Sequence, residues 1–479
     1  MQLSLVGTLI CIMLILAARW SGGLLAVLIG SLAFGATAAV SLPSLGGSSP
    51  LIFTMLQIFL ICSVVLKRSF IHDLWSVMSQ QPIAWVVLIF MIYTIGGSVI
   101  LPRLFFGQTT AFVPIKTELR IAEVPLSPVS GNVTQTLYFV LNVLTFFAVA
   151  ILFSKENHAK AVRNGFFIWA TLLVSTGFMD LIGKLIGAGD LLEPIRTASY
   201  SMLTDVEQAG FFRIAGPYAE ASAFGAATVV TLAFMFTYWR ATRDRIALII
   251  SIFLLLLLLL STSSTAYVGA ALIAMPLFFS ILRTATTGRI SRPDLFLLSC
   301  GIGAIVMVVA IELYDDKILD PIWDLFNTMI FNKASSASGQ ERAYWNLRSI
   351  DSFFDTAGLG IGLGSSRASS WIVAVISQLG LIGSLLLAAM TYQIISKRWI
   401  RMAENGDGQT QVIARSLRSA VLASLVTATV AGGGADPGLL FFVGLAVSSS
   451  FRRRPQYDRL YAASAIEFPT VRRFATESP

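Results

Sequence analysis

Charged residues are scarce in this chain. Asp, Glu, Lys and Arg make up 13% of its 479 residues, against about 25% in soluble domains. Hydrophobic residues make up 56%, and the mean hydropathy is +0.77. A soluble globular fold is therefore excluded. The apolar residues form runs of about 17–25, the length of a membrane-spanning helix, and lack the short alternating segments of a membrane β-barrel.

Cysteine and histidine are also scarce, which limits the chemistry. The three cysteines, Cys11, Cys62 and Cys300, lie inside apolar runs, as is typical of small buried side chains, and argue against disulfides or a metal centre. The chain has no His-Glu-x-x-His motif, no Gly-x-Ser-x-Gly elbow and no Cys/His cluster. Asp315-Asp316 is either a solvated acidic pair or a metal ligand. The sequence predicts no cofactor and favours no metal.

Separate apolar runs predict the membrane-spanning helices. They cover 3–19, 22–41, 51–66, 83–101, 134–153, 165–187, 217–238, 246–260, 266–282, 295–312, 371–396, 412–430 and 437–451. The first and last are short, so twelve full spans and one partial element are an alternative. The predicted fold class is all-α, a polytopic integral membrane protein with about 12–13 transmembrane helices. No basic residue precedes the first run, which argues against a cleaved signal peptide.

Basic residues set the expected orientation. Roughly two thirds of the 34 lysines and arginines fall in alternate connections and in the C-terminal tail. These parts are predicted to be cytoplasmic, in a bacterial inner membrane, with the N-terminus outside and the large loop periplasmic. The net charge of +8 then reflects membrane topology, and nucleic-acid binding is not predicted. Four parts follow: a transmembrane core (1–312), a large loop (313–370), C-terminal spans (371–451) and a polar cytoplasmic tail (452–479).

Three outer connections are long enough to build a site. They run from Leu101 to about Gly131, from about Ala188 to Gly216, and through the large loop. Short amphipathic or re-entrant helices are expected in them, for example over 318–331. No internal repeat and no inverted repeat of the transporter kind is visible.

Arg213 is the first candidate site residue. It stands before Gly216-Pro217 at the outer mouth of the seventh predicted span. Proline suits the first turn of a helix, and the free N–H groups there attract anions, so the segment predicts an anion site. The alternative is an interfacial arginine held by lipid headgroups. Glu220, about one turn inside the span, requires a partner or a function; it is expected to pair with Arg213 or to act as a base.

The large loop carries the second set of candidates. Glu341 to Arg348 has the spacing of a short helix, on which Arg342 and Trp345 share one face. A guanidinium fork suits phosphate, and tryptophan offers a stacking face to a sugar. The alternative is an amphipathic helix lying on the bilayer. The run 358–364 is rich in glycine and can cradle phosphate, although no strand or Gly-Lys-Ser/Thr accompanies it, so a nucleotide P-loop is excluded.

Two further observations concern acidic residues. Asp180 and Lys184 lie four apart on the sixth predicted span and are expected to pair near its outer end. Asp436, in the last outer connection, either caps the last helix or joins the site.

Together these segments resemble the O-antigen polymerase/ligase superfamily of bacterial envelopes, which includes Wzy-type polymerases and O-antigen ligases. Phe212–Pro217 is similar to the family's arginine before a mid-chain span, and Ser338–Trp345 to its second arginine at the start of a loop helix. Gly360–Ser365 with Gln378–Gly383 is similar to its loop-to-span junction. The ligase branch has a histidine at this junction, where this chain has Ser365 to Ser370, and the difference favours a polymerase.

The resemblance implies a metal-independent glycosyltransferase that polymerises polyprenyl-pyrophosphate-linked repeat units into exopolysaccharide, capsule or O-antigen at the periplasmic face. Arg213 and Arg342 would clamp the departing pyrophosphate, with Glu220 as the candidate base. The residues implied in substrate binding are Arg348, Arg367, Tyr218, Tyr344, Trp345, Gly362 and Gly364. The expected partners are the lipid-linked oligosaccharides, membrane lipid, and a chain-length regulator and flippase.

Three other functions remain open on the sequence. An O-antigen ligase would transfer glycan to lipid A core. A polysaccharide transporter or lipid-linked oligosaccharide flippase would need ionisable residues facing a central cavity, whereas the polar residues here concentrate on one face. A non-enzymatic partner that regulates polysaccharide export would share the same topology.

Overall fold

The computed structural model describes residues 2–41, 48–115, 120–188, 190–199, 202–204, 207–208, 211–287, 292–320, 323–324, 327–332, 335–396 and 408–450. The α-helices, numbered α1 to α15 in chain order, are Leu5–Ser21, Leu24–Gly30, Ile52–Val65, Phe70–Gln80, Pro82–Leu104, Ser130–Lys155, Ala159–Leu185, Ala221–Thr242, Arg245–Leu260, Ser264–Thr286, Arg292–Tyr314, Ala337–Asp355, Trp371–Ile395, Gly408–Ala431 and Leu439–Ser450. Short 3-10 or π turns cover Ser31–Ala33, Glu193–Ile195, Asp316–Ile318 and Asn327–Phe331.

The strands form three two-stranded antiparallel sheets. Numbered β1 to β6, they are Gln2–Leu3, Val40–Ser41, Thr110–Ile115, Arg120–Pro125, Glu207–Gln208 and Phe211–Phe212. β1 pairs with β2, β3 with β4, and β5 with β6. Only the β3–β4 hairpin is longer than two residues per strand, so the fold is all-α, as predicted.

Eight helices in the described ranges are long and apolar enough to cross a membrane, namely α5, α6, α7, α8, α10, α11, α13 and α14. A ninth span results if α3 and α4, which meet at 99°, are one broken segment. Shorter apolar helices are α1, α2, α9 and α15. Each predicted apolar run contains a described helix, which confirms a multi-pass, all-α membrane protein. Within the described ranges, the structure has fewer full-length spanning helices than the 12–13 predicted.

Polar residues and glycines set several helix ends. Ser4 and Asp244 cap α1 and α9, because their side chains accept hydrogen bonds from the first free amides of each helix. Ser336 caps α12 in the same way. α1 ends at Gly22, whose φ of 102° lies in the left-handed region that glycine tolerates. α5 begins at Pro82, which suits the first turn.

The core lies between α6, α7, α8, α14 and α15. Aromatic rings fill it: Phe166 stacks on Phe234 at 3.9 Å, and Phe139 meets Phe442 edge to face at 6.0 Å. Small residues bring helix backbones close together where apolar helices lack a hydrophobic driving force. At Gly269, for example, a Cβ would lie 2.9 Å from a side-chain carbon of α14.

The second predicted span, 22–41, is helical only as far as Ala33 and then continues through the interior as irregular backbone that ends in the strand Val40–Ser41. Ala36, Ala38 and Ala39 are at most 3% exposed. Their amides are satisfied from other segments; the amide of Ala36 donates to the carbonyl of Pro217 at 2.9 Å. Irregular backbone is tolerated inside such a bundle when neighbouring chain supplies the hydrogen bonds. The prediction of a full helix here is wrong for that reason.

The loops also differ from expectation. The connection 101–131 was expected to hold short helices, but it contains the β3–β4 hairpin. The helix predicted over Glu341–Arg348 is confirmed within α12. The amphipathic helix predicted over 318–331 lies partly outside the described residues. Between the short turns at its two ends, the described residues Asp320, Trp323 and Asp324 are helical.

Candidate functional site

Several connections meet at one end of the helix bundle, called here the loop face. It comprises described parts of 105–129, 188–220, 313–370 and 432–438. The amide of Phe112 in β3 donates to the Ser366 hydroxyl at 2.9 Å, and the amide of Arg367 donates to the Phe112 carbonyl at 3.0 Å. The amide of Ala368 donates to the carbonyl of Gly433 at 3.1 Å. The loops predicted to be outer therefore share one surface.

Arg213 follows the β5–β6 hairpin on this face and is half-buried. Its Nε is buried and has no hydrogen-bond acceptor among the described residues. Burial lowers the pKa of the Arg213 guanidinium from its ordinary value; the Glu220 carboxylate opposes this effect, and the nearby Arg342 guanidinium adds to it. A buried N–H without an acceptor is rare and calls for an explanation such as a ligand.

Arg342 lies in the second turn of α12 and is also half-buried. No described acidic side chain pairs with it. Because its positive charge lowers the pKa of the Arg213 guanidinium, the two arginines lie within electrostatic range of each other although they are far apart in the sequence. Tyr267 of α10 belongs to the same group, since Arg213 also interacts with it electrostatically. The sequence did not single out Tyr267, because it lies inside an apolar run with no motif.

The start of α8 differs from the prediction. The helix begins at Ala221, so Glu220 is its N-terminal flanking residue and does not lie one turn inside the span. Pro217 belongs to a preceding turn, in which Gly216 has a φ of 51°. The carbonyls of Pro217 and Ala219 accept hydrogen bonds from Ala36 and Leu203, which holds this segment outside the helix. The predicted helix entry at Pro217 is therefore wrong, and the anion site at Arg213 stays a prediction.

Glu220 remains close to Arg213 in electrostatic terms, although the two side chains form no direct ion pair. Its carboxylate accepts a hydrogen bond from the Ser222 hydroxyl and raises the pKa of Arg213. The carboxylate thus partly offsets the positive charge of the two arginines. Whether it also acts as a base stays a prediction.

A buried charge cluster holds the backbone that carries Arg213. The Asp180 carboxylate accepts hydrogen bonds from the amides of Ala215 and Gly216, at 2.8 and 3.0 Å. Lys184 donates to the Arg213 carbonyl at 2.6 Å and pairs with Asp180 at 3.2 Å, so the predicted pair is confirmed. The cluster fixes the turn on both sides of Ile214.

Arg196 completes this cluster. Its Nε donates to the Gly216 carbonyl at 3.0 Å, and its guanidinium pairs with Asp180 and Asp190. The side chains of Arg196 and Asp180 are each only 2% exposed. The sequence did not single out Arg196, because its partners come from α7 and from the loop that follows α7.

The remaining candidates on α12 dock this helix on the β3–β4 hairpin. The Tyr344 hydroxyl donates to the Glu123 carboxylate at 2.6 Å, and Trp345 packs on Phe112 with ring centroids 6.1 Å apart. Arg348 pairs with Glu123 at 3.5 Å. Hydrogen bonds from the Tyr344 and Thr110 hydroxyls hold the pKa of Glu123 below its ordinary value.

These contacts give Tyr344, Trp345 and Arg348 a structural role that the sequence did not predict. Arg348 has a second acidic partner, Asp351, at 3.6 Å. Its charge is therefore compensated, in contrast to that of Arg342. Their predicted roles in substrate binding are not needed to explain their positions.

Tyr218 was predicted to line a sugar path, but it is 9% exposed and packs in the core. Its hydroxyl donates to the Leu32 carbonyl at 2.7 Å, and its ring lies against Gly35, where a Cβ would be 2.1 Å from a ring carbon. The prediction placed Tyr218 at the first turn of a helix. In the structure the turn at Gly216 directs the ring inward.

The glycine-rich run packs against a break in α13 and does not form a free phosphate cradle. At Gly380 the helix is interrupted, with a φ of 63° and a ψ of −167°. The amide of Gly362 donates to the Gln378 carbonyl, and that of Gly364 to the Gln378 side-chain oxygen, each at 2.9 Å. A Cβ at Gly364 would lie 2.3 Å from the carbonyl oxygen of Gly131. The predicted phosphate contacts of Gly362 and Gly364 are wrong, because these amides already have acceptors.

Arg367 lies exposed on the loop face and lines two adjacent cavities. The central cavity, of about 940 Å³, extends among α3, α6, α7 and the 432–438 connection. The junction cavity, of about 450 Å³, lies under the glycine-rich run. Both cavities are lined by Tyr138 and Gln135 as well as Arg367. The predicted position of Arg367 near a binding site is consistent with this geometry.

Asp436 lines the central cavity from the connection between α14 and α15. One carboxylate oxygen accepts a hydrogen bond from the amide of Gly438 at 2.9 Å, and the other from the Asn142 side chain at 2.7 Å. Burial raises the pKa of Asp436 to about 6. Elsewhere in the described ranges, Asp315 caps a short turn at the amide of Lys317, and no three potential metal ligands come together.

Comparison of the sequence with protein-family models and with curated proteins finds no match. The arrangement of Arg213, Arg342 and Glu220 and the cavities of the loop face are therefore the evidence for function.

Proposed function

We propose that the protein is an inner-membrane glycosyltransferase that joins polyprenyl-pyrophosphate-linked oligosaccharides into a polysaccharide. The observation that carries the proposal is the proximity of Arg213 and Arg342. Both are half-buried, they repel each other, and the Nε of Arg213 has no acceptor among the described residues. A pyrophosphate would supply the missing acceptors and compensate both charges.

The chemistry of such a transfer fits this pair. A hydroxyl of the acceptor repeat unit attacks the anomeric carbon of the donor, and the bond from that carbon to the pyrophosphate oxygen breaks. The leaving pyrophosphate takes the electron pair, so negative charge grows on its oxygens. Guanidinium groups held in place stabilise that charge, and removing one such donor costs about a hundredfold or more in rate. Arg367 is the candidate for a third donor, and Glu220 is the candidate for the base.

The location of Arg213 beside two spanning helices supports a substrate carried by a lipid. Arg213 and Glu220 directly precede the spanning helix α8, and Tyr267 belongs to the spanning helix α10. An anion bound there would lie next to apolar helix surfaces that suit a polyprenyl chain. The predicted chain-length regulator and flippase would deliver or sort substrates and belong to the proposal as partners.

The proposal is tested with Arg213→Ala and Arg342→Ala, expressed in a host that lacks its own copy. Cell-surface and secreted polysaccharide is separated on a sizing gel, and the protein level in membranes is measured. We expect each variant to reach the normal protein level and to lose long polymer, with single repeat units accumulating on lipid. Arg103→Ala is the control. Arg103 is an exposed arginine at the loop-face end of α5, and among the described residues it bonds only to its own helix.

Other outcomes separate the competing functions. Long polymer that forms normally but is no longer attached to lipid A core would indicate a ligase. Repeat units retained at the cytoplasmic face would indicate a flippase. Normal polymer length in both arginine variants would contradict the clamp.

A further inference from the structure

The central cavity contains polar groups that the clamp does not use. Gln57 of α3, Asn142 of α6 and Asp436 all line it. The Gln57 amide donates to the Asn142 oxygen at 2.8 Å, and the Asn142 amide donates to the Asp436 carboxylate at 2.7 Å. Asn142 lies near the middle of α6, so this chain of side chains is deep in the bundle.

The hydrogen bonds give the chain a fixed direction. Asn142 accepts from Gln57 and donates to Asp436, so it cannot reverse its amide without losing both bonds. Each carboxylate oxygen of Asp436 has one described donor, from Asn142 or from Gly438, and a carboxylate oxygen can accept two. Acceptor capacity therefore remains on a carboxylate that lines a cavity.

The other lining residues indicate the class of ligand. Arg367, Tyr138 and Gln135 supply further polar groups, and Trp169 supplies an aromatic face. A ligand with many hydroxyl groups can donate to Asp436 and accept from Arg367, while its C–H surface packs on an aromatic ring. A phosphate would be repelled by Asp436, and an isoprenoid tail would leave these polar groups unsatisfied.

The cavity adjoins the proposed site. Leu203 lines it and donates through its amide to the Ala219 carbonyl, next to Glu220. Its volume of about 940 Å³ lies within the range of about 300–1,000 Å³ that is usual for small-molecule sites. From these contacts we infer that the central cavity is a carbohydrate-binding site, in which Asp436 accepts a hydrogen bond from a sugar hydroxyl.

This inference deepens the proposed function, on which its biological meaning rests. In the polymerase, the cavity would hold a sugar of the repeat unit beside the pyrophosphate clamp. Binding of a sugar to the cavity is nevertheless a separate physical property. It can be measured without any polymerisation.

The test uses the full chain in lipid nanodiscs and saturation-transfer NMR. The probes are glucose, galactose, N-acetylglucosamine and rhamnose, with undecaprenyl phosphate as the lipid probe. We expect at least one neutral sugar to bind and Asp436→Asn to weaken it about tenfold, since a hydrogen bond to a charged group is lost. Ser424→Phe, which places a large side chain in the cavity from α14, should abolish the signal.

Arg103→Ala is the matched control and should keep sugar binding, because Arg103 does not line the cavity. Elution of each variant as a single species reports folding, and Ser424→Phe decides the matter if Asp436→Asn is unstable. The inference is overturned if no sugar binds, or if both variants bind as the parent does. If undecaprenyl phosphate gives a signal that Ser424→Phe abolishes, the inference is also overturned, because the cavity would then be a site for the lipid tail.

The two proposals fail in different ways. Sugar binding that depends on Asp436, together with normal polymer in the Arg213 and Arg342 variants, would contradict the polymerase and leave the sugar site standing. Loss of polymer in the arginine variants, without any sugar binding, would do the reverse.

Discussion

The two arginines of the proposed clamp are held in different ways. The backbone around Arg213 is bound by the buried side chains of Asp180, Lys184 and Arg196. Arg342 depends on α12, which is docked on the β3–β4 hairpin by partly exposed contacts such as that of Arg348 with Glu123. Breaking a buried ion pair costs about 3–5 kcal/mol, whereas an exposed pair contributes about 0–1 kcal/mol.

The two halves of the proposed clamp are therefore expected to differ in how firmly they are held. The Arg213 half is built into the bundle and is fixed before any substrate arrives. The Arg342 half is attached through weaker contacts, so a bound pyrophosphate can contribute to holding α12 in place. Substitutions in the two supports should therefore differ more in stability than in activity.

The largest effect is expected from Asp180→Ala. It removes the acceptor of two buried amides and leaves Lys184 and Arg196 without their shared partner, so we expect a loss of about 3–5 kcal/mol in the free energy of unfolding. The thermal unfolding midpoint of the detergent-solubilised protein measures this. Asp351→Ala is the control, because the ion pair of Asp351 with Arg348 is solvent-exposed on both sides. An unchanged midpoint for Asp180→Ala would show that Asp180 does not stabilise the backbone around Arg213.

An intermediate effect, on activity and without loss of stability, is expected from Arg342→Lys. Lysine keeps the charge but loses the planar fork, and one lost charge-assisted hydrogen bond corresponds to about a tenfold to hundredfold lower rate. The initial rate of polymer formation in isolated membranes, from lipid-linked repeat units, measures it. Arg213→Lys should behave alike. Full activity in either lysine variant would show that charge alone suffices.

The smallest effect is expected from Glu123→Gln, which removes the charge that Tyr344 and Arg348 contact. Because the pKa of Glu123 is lowered in the folded protein, its contribution is complete above the ordinary value of 4.5 and is lost as the pH falls through the lowered value. We expect a loss of about 0–1 kcal/mol in the docking of α12 at neutral pH.

Hydrogen exchange of the α12 amides measures this docking. In the parent, exchange corrected for its intrinsic pH dependence should stay constant from pH 7 to 5 and rise in stronger acid. The variant should lack that rise. A variant whose α12 amides exchange as slowly as the parent's at pH 7, and respond to acid in the same way, would show that Glu123 does not hold the helix.

Much of the helical architecture could be predicted, because hydropathy is a local property of the sequence. Every predicted run contains a described helix, and the Asp180–Lys184 pair follows from a four-residue spacing on one helix. The unwound segment after Ala33 and the β3–β4 hairpin were missed. The unwound segment depends on hydrogen-bond partners that come from remote parts of the chain. The hairpin strands pair locally, but the hairpin is docked by the remote Ser366.

In the candidate site, too, the sequence shows local patterns but not contacts between remote segments. Arg213 and Arg342 were identified from local patterns of arginine, glycine and aromatic residues. Tyr218 was placed wrongly, because the turn at Gly216 directs its ring into the core. The amides of Gly362 and Gly364 were read as open, but they bind a helix that is broken at Gly380.

The sequence by itself determined that this is a multi-pass helical membrane protein with its arginines concentrated in a few connections, since composition and apolar run length decide both. Only the tertiary structure decided which charges remain uncompensated. Arg348 is paired and Arg213 has an N–H without a described acceptor, although both are arginines in polar loops. The tertiary structure also joined Gln57, Asn142 and Asp436 along one cavity, because three separate segments must pack before their side chains can meet.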